Sequence, residues 1–434
     1  MRCNTLFSQK DFRVAISSVL VAIWAAFSLL VLDVALPFTS AYADVVPAYI
    51  IYFSFFCVFI VSYLFSLCFM GFSSAVAARH GMSAGLLQVI NFSLFFSVLA
   101  LCSLYVDRVF YRGVDFGEKN FVEIRDALNS SSDGSISSVF SVFGNLFQFS
   151  YFFSLIAILF YREYFSGGRF VFYFAVILIC VFGGSYLLGG RAIFAVFLLT
   201  SFVVVMARVV AGYSSFRVFF TVRFLFLCGV AVALFFLIFV YVFYMRASVG
   251  GDSSVEYLNK FLLHLHGVSL ASHESCGVGL YCDLRNYLYL SFLYFTHVFW
   301  VFAEIVSAPV LEPSGNPVFG AVISVFSRLF HFDVFDYRFA GLFNSMPGSL
   351  YYVWGMWGVW IGAALIGFFL AVAVFFLRFY NSFFAVLLFY VFYMALLVSP
   401  VLSVFNVMSF VFVVFCVFFY FFIFCLLDFL SRRV

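Results

Sequence analysis

Charge is what this sequence has least of. Only 9% of its 434 residues are Asp, Glu, Lys or Arg, while 66% are apolar. Soluble domains carry about 25% charged and about 45–50% apolar residues, so a soluble globular chain, a disordered chain and a nucleic-acid-binding chain are all excluded. Motifs of soluble catalysis are also missing. There is no glycine-rich loop ending in GK[ST], no HExxH, no CxxC and no Asp-x-Asp; Asp333-Val-Phe-Asp336 comes nearest, at the wrong spacing. No metal or other cofactor is therefore expected. Cysteine is sparse: of 10 residues, all but Cys276 and Cys282 lie in or near apolar runs or at the N-terminus.

What the chain has is long apolar runs. Ten of them, at about 14–36, 45–70, 85–106, 139–161, 170–189, 192–212, 219–244, 348–377, 383–400 and 405–427, are long enough to cross a bilayer. They are continuous rather than alternating, which excludes a β-barrel. The expected fold is an all-α, polytopic helical membrane protein with about 10–12 transmembrane helices, a single membrane domain over 1–434. The first run follows Arg2, Lys10 and Arg13 and has no small-residue cleavage site, so it reads as a retained helix.

Lys and Arg placement sets the orientation. With the N-terminus in the cytoplasm, the inner segments hold Arg2, Lys10, Arg13, Arg79, Arg162, Arg169, Arg208, Arg217, Arg223, Arg378, Arg432 and Arg433 against Asp11, Glu163 and Asp428. Both termini are then cytoplasmic, and two large loops, 107–138 and 245–347, lie outside. Within the first, Asn120 to Leu128 reads as a small amphipathic helix capped by Asn120 and Glu123. Within the second, 253–270 places Val255, Leu258, Leu262, Leu265 and Val268 on one helical stripe, as in a helix lying on the membrane surface. The run 286–308 could span, but that would reverse the charge rule for the C-terminal segments. It reads instead as a re-entrant or surface-packed helix, or half of a hairpin with 317–330.

Arginines at the outer face are the most informative side chains. Arg191 stands in GGSYLLGGRAIF, at a tight turn where a helix N-terminus and a guanidinium fork suit a phosphate. Arg246 opens the second large loop, ahead of Gly250 and Gly251, and Arg338 precedes the return to the membrane. The bland alternatives are a lipid-contacting anchor for Arg191 and Arg246, and an ion pair with Asp333 or Asp336 for Arg338. Acid–base candidates are Glu304, His297 and His331. His297 and Glu304 share a helix face, which also fits a packed His–Glu pair. His264 and His266 are too close in sequence to share a face, so no metal site is built on them. Asp33, near the outer end of the first run, is assigned no role. Cys276 and Cys282 flank a glycine-containing loop and, in an outer compartment, read as a disulfide.

This layout resembles the O-antigen polymerase family, also called oligosaccharide repeat unit polymerases. The likeness rests on Gly189-Gly190-Arg191 at a short outer turn, on Arg246 at the large outer loop, on the tyrosines ahead of 286–308, and on MPGSLYYVWGMWGVWIGAALIGF over 346–368, with Gly355, Gly358 and Gly362. It covers roughly 105–375. Related ligases place a His-Asn pair before the re-entering span; here the pair is Phe343-Asn344, which favours polymerase over ligase. The resemblance implies a GT-C-like glycosyltransferase architecture in a bacterial inner membrane. It implies that undecaprenyl-pyrophosphate-linked oligosaccharides are joined at the periplasmic face, with Arg191, Arg246 and Arg338 holding the pyrophosphate and Glu304, His297 or His331 as general base. Partners would be those lipid-linked glycans, the bilayer and a chain-length regulator. A lipid-linked oligosaccharide flippase or other transporter is the rival from another class. For the cysteines the expected result is plain: neither Cys276 nor Cys282 takes up a maleimide in the native protein, and both do after reduction.

Overall fold

The computed structural model describes residues 9–40, 44–70, 82–114, 138–188, 192–215, 221–263, 268–270, 279–307, 316–330, 344–380 and 382–431. In chain order the elements are α1 (Gln9–Ala35), β1 (Phe38–Ser40), α2 (Val46–Met70), α3 (Ala84–Val106), which runs on into a π-turn (Asp107–Tyr111), α4 (Val139–Phe147), α5 (Tyr151–Phe160), α6 (Gly167–Leu188), α7 (Ala192–Val210), α8 (Val222–Gly250), α9 (Ser254–Leu263), β2 (Val268–Leu270), α10 (Leu280–Ser307), α11 (Gly320–Phe330), α12 (Met346–Phe379), α13 (Phe383–Val398) and α14 (Met408–Ser431). The protein is helical, and among the described residues 9 helices or helix pairs are long and apolar enough to cross a membrane: α1, α2, α3, α4 with α5, α6, α7, α10, α12 and α14. Shorter apolar stretches cover Phe236–Gly250 of α8 and all of α13.

Charge is confined to the ends of these helices. Among the described residues, every charged position on a candidate span falls in the first two or last two turns. Asp33, Asp107, Arg108, Arg208, Arg246, Glu304, Arg378 and Asp428 close their helices, and Arg13, Arg169, Asp283 and Arg285 open theirs. An ionised group at the centre of a bilayer costs at least about 2.5–3.5 kcal/mol, and placement at an end avoids that cost.

The chain divides into two compact units. The first comprises Met1–Ser74, Ser214–Val372 and Ala395–Val407. Here α1 and α2 run antiparallel, with Tyr52 donating to Ala26 O (3.2 Å) and Tyr63 to Ala15 O (3.1 Å). Ser62 donates to Ala364 O (2.7 Å), which seats α12 beside α2. At one end of the unit, β1 pairs antiparallel with β2, Thr39 opposite Ser269. The expected surface helix over 253–270 is therefore corrected. It stops at Leu263, and Val268 belongs to a strand. Leu258 and Leu262 are buried as the stripe requires, but Val255 is exposed. Ser253 and Glu256 start α9 as a capping box, the serine hydroxyl accepting from Glu256 N (3.2 Å) and the carboxylate accepting from Ser253 N (2.8 Å). Those bonds from Ser253 hold the Glu256 carboxyl below its usual range. The helix proposed over 120–128 lies outside the described residues.

The helix α10, expected as a re-entrant or surface-packed segment, is long and apolar enough to cross a membrane, and its side chains meet residues at the strand-bearing ends of its neighbours. Tyr289 meets Phe38, just past α1; Phe299 meets Tyr49 and Tyr52, in the first turns of α2; Phe302 meets Tyr351, in the first turns of α12. Trp300, Val301 and Ile305 share one apolar core with Phe239 and Phe243 of α8, Leu258 and Leu262 of α9, and Tyr352. The helix is unbroken. Its partner in the hairpin reading, α11, packs near the Val404–Asn406 turn, where Ser403 donates to Val318 O (2.7 Å) and Phe319 meets Phe405.

Two expected spans are interrupted. Over 139–161 the helix breaks at Gln148–Ser150, between α4 and α5. In α12 the break is Gly355 (φ 63°, ψ −155°), a conformation open essentially to glycine alone. The segment before it bends back on the helix after it. A Cβ at Gly358 would stand 2.7 Å from Leu350 O and 2.6 Å from Trp354 Cβ. The glycine spacing in this stretch thus encodes a broken, self-packed helix start.

The second unit comprises Ala75–Tyr213, Ala373–Met394 and Met408–Val434. Its core gathers Phe152, Phe153, Phe160, Tyr390 and Tyr420, all buried. Buried hydroxyls pair inside it, Ser93 with Ser154 (2.5 Å) and Thr200 with Tyr390 (3.1 Å). Arg208 donates to the terminal carbonyls of α5, Leu159 O and Phe160 O, and to Glu163, as suits a cation at a helix C-terminus. The Gly355 break gives a test: Gly355→Ala should cost about 1–3 kcal/mol of stability in detergent-solubilised protein, whereas Gly168→Ala, with no atom within 4 Å of the added methyl, should leave the melting temperature unchanged.

Candidate functional site

The strand-bearing end of the first unit collects the polar side chains that the rest of that unit avoids. Asp33 comes from the last turn of α1, Tyr49 from the first turn of α2, and Thr296 and Trp300, one helical turn apart, from one face of α10. The Tyr49 hydroxyl donates to Asp33 Oδ2 at 2.6 Å. Thr296 and Trp300 also turn hydrogen-bond donors toward the same carboxylate, at looser geometry than the Tyr49 bond. Yet Asp33 Oδ1, Thr296 Oγ1 and Trp300 Nε1 are all buried without a hydrogen-bond partner. Asp33 is 4% exposed and Thr296 is 0% exposed, so neither group turns to solvent instead.

One acceptor and two donors left open together are complementary to a group that both donates and accepts: a hydroxyl or a water molecule. Without such a guest each open group carries a desolvation cost of about 1–3 kcal/mol. A second open group lies in the same unit just ahead of α12. Both amide atoms of Asn344 are buried and unpartnered, while Ser345 caps Gly348 N at 3.1 Å and Met346 N donates to Ser399 O at 2.9 Å. Beside α9, Ser254 donates to Asp283 (2.5 Å) and receives Asn286 Nδ2 (3.1 Å), tying the start of α9 to the start of α10.

The residues singled out from sequence fall differently. Arg246 does not open a loop. It lies in the last turns of α8, half-buried, one residue before Ala247, which packs in the core beneath α10. His297 is 2% exposed; its Nδ1 is 3.1 Å from Leu293 O and its ring meets Phe261 and Tyr294. That is the environment of a core histidine. Glu304 is half-buried in the last turn of α10. Arg191, Arg338 and His331 lie outside the described residues. Cys282 is disulfide-bonded, and Cys276 lies outside the described residues. No group of three or more His, Cys, Asp or Glu able to hold a metal occurs among the described residues.

Sequence reasoning passed over Asp33, because a carboxylate at the end of a span reads as an interface cap until its partners from α10 are known. It also counted GxSxG among the missing motifs, although Gly81-Met82-Ser83-Ala84-Gly85 has the spacing of a nucleophile elbow. Ser83 is occupied structurally: it is the N-cap of α3, its Oγ accepting from Leu86 N at 3.2 Å. No family model, curated protein or solved structure matches this chain.

The open cluster predicts opposite signs for two conservative changes. Tyr49→Phe removes the one bond the Asp33 carboxylate has and should cost about 1–3 kcal/mol. Thr296→Val removes an unpaired hydroxyl at nearly constant shape and should leave stability unchanged or raise it. Chemical denaturation of the purified protein in detergent reads both.

Proposed function

We propose that this chain is a membrane glycosyltransferase that joins undecaprenyl-pyrophosphate-linked oligosaccharide repeat units into O-antigen or a related surface polysaccharide, at the periplasmic face of a bacterial inner membrane. The observation that carries the reading is where charge stands. All the described charged groups on the candidate spans are at helix ends. A path for a charged cargo through the bilayer would set ionisable groups along mid-helix positions. Chemistry on a lipid-linked substrate needs them at the boundary, where the pyrophosphate of the carrier lies. In this reading the fold is GT-C-like.

The reaction balances without a metal. A sugar hydroxyl of one lipid-linked unit attacks the anomeric carbon of the other chain. The new C–O bond forms as the bond to pyrophosphate breaks, the leaving group takes the electron pair, and a base takes the hydroxyl proton. Arg191, Arg246 and Arg338 are the groups proposed to neutralise the leaving pyrophosphate. For the base, Glu304 and His331 stay in the proposal. His297 is the weaker choice because its ring is packed in the core. Asp33 joins them: its Oδ1, without a close partner beside the Thr296 and Trp300 donors, suits an acceptor hydroxyl.

A transporter of lipid-linked glycans is the second reading. The observation in its favour is the broken span at Gln148–Ser150, where Gln148 Oε1 is buried and unpartnered. Deleting the gene and resolving surface polysaccharide on a gel separates the readings. Single-unit product is expected for a polymerase, complete loss with intermediates held inside for a flippase, and polymer left on the carrier lipid for a ligase. Under the polymerase reading, Arg246→Ala at unchanged protein level abolishes the ladder and Arg246→Lys restores little of it. Asp33→Asn with a wild-type ladder removes Asp33 from the reaction.

A further inference from the structure

The second unit holds a charged cluster that the proposed function leaves unused. Asp107 and Arg108 stand in the π-turn that ends α3, Arg112 just beyond it, and Ser138 and Ser141 at the start of α4. Asp107 is 1% exposed and Arg108 is 8% exposed. Both oxygens of the carboxylate are engaged: Oδ2 accepts from Arg112 Nε at 3.0 Å, and Oδ1 accepts the Ser138 hydroxyl. Arg112 also reaches Ser141 Oγ at 3.5 Å. Arg108 is held only by a longer ion pair. Its Nη1 is 3.7 Å from Asp107 Oδ2, beyond hydrogen-bond length, and its Nε is buried with no partner.

Two guanidinium groups therefore share one carboxylate, and among the described residues the buried cluster keeps a net positive charge. Burying such a charge is costly unless an anion completes it. A guanidinium with an open edge fits two oxygens of a phosphate. The surroundings say what the phosphate is attached to. Phe110 and Tyr111, in the same turn, are 74% and 63% exposed, and Val139 at the start of α4 is 82% exposed. Exposed apolar side chains beside a buried cation, at the end of a helix that can cross a membrane, match an amphiphile with a phosphate head and a hydrocarbon tail.

We infer that the π-turn cluster of Asp107, Arg108 and Arg112 is a binding site for the phosphate of a membrane lipid, with Arg108 as the residue that grips it. The site stands whether or not the chain joins glycans. That phosphate has two sources, a phospholipid headgroup of the bilayer or a polyprenyl carrier, and the experiment separates them. The full chain, purified in detergent, is titrated with phosphatidylglycerol, with undecaprenyl phosphate and with diacylglycerol, and bound lipid is counted by native mass spectrometry. Arg108→Gln should weaken binding of a phosphate-bearing lipid by about tenfold or more and leave diacylglycerol binding as in the wild type. Loss confined to phosphatidylglycerol identifies a bilayer headgroup, and loss confined to undecaprenyl phosphate identifies the carrier. Arg108→Lys keeps the charge without the fork and should bind more weakly than wild type, so it carries the test if the Gln variant does not fold. Wild-type affinity for both phosphate-bearing lipids in the Gln variant, or in the Lys variant where that one is used, overturns the site.

Discussion

A charge in hydrocarbon has nowhere to spread its field, and the arrangement of this protein follows from that constraint. With 9% of residues charged, few sites need a solution, and the chain uses the same one throughout: the ionisable group goes to a helix end. Where the group is still buried there, the neighbouring helix supplies a partner. Arg208 takes the carbonyls that close α5, and Asp107 takes the hydroxyl that opens α4. The same logic isolates the groups whose partners are missing. Asp33 Oδ1 and Arg108 Nε are conspicuous because each belongs to an ionisable group and is buried without a partner.

The helices themselves were legible in the sequence because continuous apolar runs leave little choice of structure in a bilayer. Each of the ten runs coincides with a helix or a broken helix, but the apolar stretches Phe236–Gly250 of α8 and Phe383–Val398 of α13 are shorter than a span requires. What composition cannot express is the direction a helix takes. The run over 286–308, set aside as a re-entrant or surface helix, lies in α10, which is long and apolar enough for a span. The strand pair was invisible for a different reason: three residues on each side are too few to set up an alternating pattern.

The candidate site was less legible than the fold. Arg246 was singled out as the residue opening a loop after a span, whereas it lies inside α8; His297 was chosen for its chemistry, and burial between Phe261 and Tyr294 was beyond what spacing can reveal. Asp33 and Arg108 were passed over because both sit where a run ends, and a charge there is ordinary. Their significance lies in which atoms remain unpaired, a property of residues brought together from distant parts of the chain. The glycines of the 346–368 stretch show the converse case, in which the pattern was seen and its cause, a backbone break at Gly355, was not.

The strand pair also has a bearing on biosynthesis. Thr39 and Ser269 are 230 residues apart in the chain, and Asp33 likewise meets its α10 neighbours only across most of the first unit. During translation the first two helices leave the ribosome with their finished ends still lacking partners, while α3 to α7 follow as one uninterrupted stretch of the second unit. The hairpin made earliest waits for the chain beyond residue 270 before its end is closed. Truncation products ending in the second unit would therefore carry an open α1–α2 end, a form that quality-control proteases in the membrane are placed to recognise.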